Sequence, residues 1–194
     1  MKKRYFAIPI LAIALHFLLS NLLYFLVERL VLDVFHIPPQ QFMKHSYWGE
    51  ILIYAVLILV FFTLYKLLWR KEISEPRTAT NFKDVLGSLV VGFGICGISG
   101  LWIMLAEQLP SLQKSVEAMN AGAENIAGGN AFGTFMIAVI AAPVVEEILF
   151  RGIVLRSMRK FAPAWASILI SSVLFGVYHL NIVQAAYALS LIHI

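Results

Sequence analysis

Five apolar runs constrain this chain more than any other feature. They cover about residues 5–27, 47–69, 85–105, 131–150 and 164–180, and a sixth begins near Ile182. A hydrocarbon core of about 30 Å takes about 20 helical residues to cross. Inside it, each backbone polar group must find its partner within the protein, and helices do so segment by segment. The chain is 60% hydrophobic and 13% charged, where soluble domains have roughly 45–50% and about 25%. The predicted fold class is therefore all-α: a polytopic transmembrane helix bundle with five spanning segments plus the start of a sixth, in a cell membrane.

The charges sort by side. Eleven of the fifteen basic residues fall before the first run, between the second and third, or after the fourth. If every run crosses, all eleven lie on one side, and positive loops stay in the cytoplasm. The N-terminus is thus expected to be cytoplasmic. The first run is too long for a signal-peptide core and lacks a cleavage site, so it reads as a spanning helix. The net charge of +4 sits in short loops and does not point to nucleic acid. The partners expected are the lipid bilayer and a peptide or protein substrate. Cys96 is the only cysteine, which excludes an internal disulfide and a CxxC site.

Between the runs, residues 107–130 are polar and read as a flexible external loop. "SEPRTATNFKD" reads as a cytoplasmic loop whose Thr80 or Asn81 could cap the next helix. The glycines of the third run, among them Gly87, Gly94, Gly97 and Gly100, suggest close helix packing. His16, Asn21 and Glu50 read as interhelical or interfacial polar groups. Trp48, Trp69 and Trp102 fall near expected membrane boundaries, where aromatic residues collect.

The fourth run ends on "PVVEEILFRG", which puts Glu146, Glu147 and Arg151 beside oily residues. Glu147 and Arg151 are four apart and can pair along one helix face. Glu146 is turned about 100° from its neighbour and must look elsewhere. A solvated helix end would explain these charges cheaply. Against that, "GIVLRSM" keeps helical spacing, so one helix over 131–158 would draw the carboxylates inward. There a charge costs roughly 2.5–3.5 kcal/mol and usually marks function. Pro143 removes a backbone hydrogen bond just upstream and predicts a kink. The fifth run carries "FGVYHLN", with Phe175 and His179 on one face. A short connection favours antiparallel packing of these two helices. Bringing Glu146 level with His179 then requires a longer fourth helix or a shorter fifth.

"EEILFR" followed by "FGVYH" resembles the EExxxR and FxxxH motifs of an intramembrane glutamic endopeptidase family. That family includes the CAAX prenyl-protein endopeptidases and the bacteriocin-processing and immunity (Abi) proteins. The resemblance covers about residues 131–181. It implies that Glu146 is the catalytic base that activates water and that His179 holds that water. Desolvation strengthens a carboxylate as a base. Glu147 and Arg151 would brace the helix, and Phe175 would pack beside the histidine. No cofactor is implied. Zinc is disfavoured, because a catalytic zinc wants three protein ligands and the chain shows no HExxH.

The family's third motif, a His followed four residues later by Asn or a similar residue, would stabilise the oxyanion on a later helix. His193 has nothing after it at that spacing. The last six residues, "LSLIHI", can be encoded by a string resembling the end sequence of a transposase-based sequencing library. The expectation is a C-terminally truncated chain. It would comprise N-terminal helices and loops in 1–130, a protease-family core in 131–188 and an artefactual tail in 189–194. The alternative function is a membrane-embedded peptide-binding or immunity protein that does not cut. A transporter is weaker, because the pattern of the fourth run does not recur.

Overall fold

The chain reverses after its first apolar run through "FHIPP". His36 takes a positive φ of 52°, and Pro39 opens the next helix where a missing N–H is no loss. In this computed structural model residues 3–73, 81–125 and 130–191 are described. All regular elements among them are helical. They form two units, Met1–Arg70 with Gly122–Ala162 and Lys71–Ala121 with Pro163–Ile194.

The first unit contains α1 (Lys3–Arg29), which widens into a π turn at Leu30–Val34, then α2 (Pro39–Leu68); the short α3 (Arg70–Ile73) begins at Arg70, the last residue of the unit's first segment. Residues 131–158 complete it as one uninterrupted helical stretch. Within that stretch α6 (Ala131–Thr134), α7 (Ala142–Glu146) and α8 (Arg156–Met158) alternate with π-helical Phe135–Ala141 and Glu147–Leu155. Asn130 starts it, its side-chain oxygen accepting from the Gly133 N–H at 2.9 Å. The irregularity expected at Pro143 is a widened helix. The proline has no N–H to give to Val139, and the Ala142 N–H reaches back five residues to Ile137.

Side-chain spacing explains the packing. Val145, Leu149 and Ile153 are buried at four-residue intervals on the long helix, and Ile53, Leu57 and Phe61 repeat that interval on α2. These stripes give two apolar faces that zip together. The opposite faces stay oily. Leu18 is 72% exposed and Leu59 66% exposed, a pattern suited to lipid and not to water.

Among the described residues, two helical spans, Tyr5–Val34 and Ser46–Leu68, are long and apolar enough to cross a membrane. Ala164–Tyr178 is apolar but shorter.

The second unit holds α4 (Phe82–Glu107), a 3₁₀ turn at Pro110–Leu112, most of α5 (Gln113–Asn125), α9 (Ala164–Tyr178) and α10 (Ile182–Leu191). α4 begins directly after Asn81, and Thr80 lies outside the described residues. So do 126–129 and the last three residues of the suspect tail.

Two expectations need correction. Much of the stretch read as a flexible loop is helix α5. Leu112, Val116 and Met119 recur at three- and four-residue spacing and pack on Ala106 and Val183, and that burial outweighs the weak local propensity of the Gly and Asn residues. The glycines of α4 are not seen to admit a neighbour, since a methyl added at Gly87, Gly94, Gly97 or Gly100 would meet nothing within 4 Å. Trp69 directly follows the span Ser46–Leu68 and turns into the protein. It is 2% exposed, and its indole N–H donates to the Gly152 carbonyl at 2.9 Å. Trp102 likewise donates to the Val183 carbonyl at 3.0 Å.

The minor polar residues divide. His16 is buried and packs its ring 5.6 Å from Phe61, at the α1–α2 interface. Asn21 donates to the Phe17 carbonyl of its own helix at 2.7 Å, so its bond is not interhelical.

Candidate active site

The two motifs lie on two different helices, one in each unit. In the first unit the long helix carries the carboxylates across the junction of α7 and the π-helical turns. Glu147 faces outward and pairs with Arg151 at 3.3 Å, four residues on. Its side chain is 55% exposed and that of Arg151 38%, so the pair stiffens the helix surface and is not a buried ion pair. Glu146 turns away from it, as the helical repeat requires, and is half-buried. It interacts electrostatically with Glu147 and with Tyr54 of α2.

Tyr54 was not singled out from sequence. It lies four residues after Glu50 on α2, and Glu50 acts on both Tyr54 and Tyr24 of α1. The i,i+4 spacing of Glu50 and Tyr54 was legible. The partnership with Glu146 depends on how α2 docks on the long helix, and no local pattern encodes that.

In the second unit α9 ends on His179. The imidazole Nδ1 lies 2.9 Å from the Phe175 carbonyl. A carbonyl can only accept, so Nδ1 carries the hydrogen and the neutral ring presents Nε2 as an acceptor. Phe175 meets the imidazole edge-to-face at 4.7 Å, and Tyr178 does so at 5.4 Å. The packing role expected of Phe175 is visible here.

Two residues missed by the sequence reading set the turn after the histidine. Leu180 adopts φ 52°, the left-handed geometry that commonly ends a helix and that a leucine takes at some cost. Asn181 then caps α10, its Oδ1 accepting from the N–H of Val183 at 3.0 Å and of Gln184 at 3.2 Å. Its Nδ2 donates to the Ser115 carbonyl of α5 at 2.7 Å. The signal was present, as Asn just before an apolar helical run is a strong cap. Gly176 matters as well, because a Cβ there would lie 3.0 Å from the Ala185 Cβ of α10.

The helix bearing Glu146 runs through 131–158, and the one bearing His179 has 15 residues.

A cavity of about 430 Å³ opens between α2 and the long helix, with Phe62, Tyr65, Glu147, Arg151, Arg156 and Arg159 among its walls. A neighbouring one of about 350 Å³ is lined by Val139, Ile140, Pro143, Val144, Glu147 and Ile148. Glu147 borders both, whereas Glu146 borders neither. Among the described residues, no three of His, Cys, Asp and Glu converge in a way that could hold a metal ion.

Residues 128–193 match the model of a protein family described as Type II CAAX prenyl endopeptidase Rce1-like. Over that stretch the chain is similar to that family. The match takes in the whole of both motifs, Glu146 to Arg151 and Phe175 to His179, about a third of the chain. It supports the CAAX protease family to which those motifs pointed. The matched stretch includes all of the long helix together with α9 and α10. Searches of curated proteins and of solved structures give no match.

Proposed function

We propose that this protein is a multi-pass membrane endopeptidase of CAAX-protease type, with Glu146 as its general base. The observation that carries the reading is the Rce1-like match across both motifs. In this reading five segments cross the membrane and the N-terminus is cytoplasmic. The substrate is a peptide segment presented at the membrane, of prenylated or bacteriocin type.

Glu146 takes a proton from water as the water oxygen attacks the scissile carbonyl. The carbonyl π electrons move onto oxygen to give a tetrahedral oxyanion. Collapse of that intermediate breaks the C–N bond, and Glu146 returns the proton to the departing amine. His179, with Nδ1–H held by the Phe175 carbonyl, offers Nε2 to a hydrogen of the attacking water. The Glu147–Arg151 pair holds the helix that carries the base. No cofactor takes part, so activity is expected to survive a zinc chelator. Loss on chelation with recovery on added zinc would replace the glutamate-base mechanism with a zinc one.

The test is cleavage of a reporter peptide by full-length protein and by Glu146→Gln. A lost general base costs about 10²–10⁴-fold in rate, with KM little changed. Glu147→Gln breaks only an exposed pair worth about 0.3–0.5 kcal/mol and should retain most activity. A Glu146→Gln protein that cleaves at the wild-type rate overturns the assignment. One that neither cleaves nor loses peptide protection in cells favours a binding or immunity role.

A further inference from the structure

We propose that the groove beside Glu147 binds an anionic phospholipid, with its phosphate on the arginines at one end and an acyl chain along the apolar end. The two neighbouring cavities share Glu147 and Ile148 as walls, so they adjoin along one helix. Their chemistry differs sharply.

The first cavity gathers Arg151, Arg156 and Arg159 around a single carboxylate, Glu147. Lys66 lies 4.5 Å from the ring of Phe62, one of the cavity's walls. Arg156 is posed rather than loose. It donates to the Tyr65 hydroxyl at 2.9 Å and lies 5.5 Å from the Trp69 ring centroid. A planar fork held in this way suits the oxygens of a phosphate. The volume of about 430 Å³ is within the ~300–1,000 Å³ usual for small ligands.

The second cavity is walled by Val139, Ile140, Pro143, Val144 and Ile148 besides Glu147. None of those five side chains donates or accepts a hydrogen bond. A peptide lying there would leave backbone groups unsatisfied away from water, whereas an acyl chain has none to satisfy. From Val139 to Arg151 the helix rises by at most about 18 Å, close to half of the ~30 Å hydrocarbon core. That is the depth of one leaflet's acyl chain.

The experiment measures binding to the purified full chain in neutral detergent by native mass spectrometry and by thermal shift. The probes are phosphatidylglycerol, phosphatidylcholine and glycerol 3-phosphate. Phosphatidylglycerol should bind and raise Tm, and the other two should not. Arg159→Gln should weaken phosphatidylglycerol about fivefold, the loss of one cation at a membrane surface. Val144→Ser should weaken it through the acyl wall. Arg70→Gln removes the same charge from α3, outside the groove, and should leave affinity unchanged. Equal binding of phosphatidylcholine overturns the proposal, as does glycerol 3-phosphate binding as tightly as the lipid. An Arg70→Gln loss matching that of Arg159→Gln does so too.

Discussion

Gly176 stands where α9 and α10 come closest. A Cβ there would lie 3.0 Å from the Ala185 Cβ and 3.3 Å from its Cα. Gly176→Ala should therefore destabilise the protein by about 1–3 kcal/mol, the usual cost of overpacking, read as a lower Tm in detergent. Adding Ala185→Gly should recover part of the loss, since the backbone contact persists. No recovery would mean that the two helices do not meet here. Asn181 allows a finer separation. Asn181→Asp keeps the oxygen that caps α10 but loses the donor to Ser115, while Asn181→Ala loses both. The cap alone is worth about 0.5–2 kcal/mol, so alanine should be the more damaging change, and equal losses would deny the cap its role. At single residues the sequence was a good guide to local pairs. Glu147 with Arg151 and Phe175 with His179 follow from four-residue spacing on a helix and are seen at 3.3 Å and 4.7 Å. The electrostatic influence between Glu146 and Tyr54 was not legible, because the two lie on different helices.

The long helix shows how an element can be read correctly in extent and incompletely in form. Its span of 131–158 follows from apolar spacing that continues past the carboxylates. The alternation of α and π turns does not, since it depends on how the backbone absorbs Pro143. π turns are uncommon and often accompany functional sites, and here they lie on both sides of Glu146. What fixes this helix is the end of α2. Trp69 donates to the Gly152 carbonyl at 2.9 Å, the Tyr65 ring would lie 3.1 Å from a Cβ at position 152, and Arg156 bonds the Tyr65 hydroxyl. Trp69→Phe should keep the ring stacked on Tyr5 and lose only the N–H. The buried carbonyl then costs about 1 kcal/mol, visible as a lower Tm with unchanged helix content by circular dichroism. A Tm equal to wild type would show that the indole N–H contributes nothing. α5 was misread because its Gly and Asn residues looked like loop, although Leu112, Val116 and Met119 were already at helical spacing.

Across the full chain, the open question is how many helices cross. α1 and α2 qualify by length and hydropathy, and α4 runs 26 residues from Phe82 to Glu107. The charge pattern also needs α4 to cross. Without that crossing, the basic residues on its two sides would not separate, and the bias of eleven basic residues to one side would dissolve. Cysteine labelling tests this directly once the single native thiol is removed by Cys96→Ser. Asp33→Cys and Lys114→Cys should react with a membrane-impermeant maleimide in intact cells, because the sequence puts both positions outside. Lys71→Cys should react only after permeabilisation. Lys114 and Lys71 flank α4, so their contrast isolates that one helix. If both are protected while position 33 is labelled, α4 turns back within the membrane. The segments bearing Glu146 and His179 would then each enter from the opposite side to the one the charges predict. Arg156, Arg159 and Lys160 would have to lie outside, against the positive-inside bias. The side on which the basic groove opens and the rest of the topology thus depend on the same crossing, and one labelling experiment decides that side.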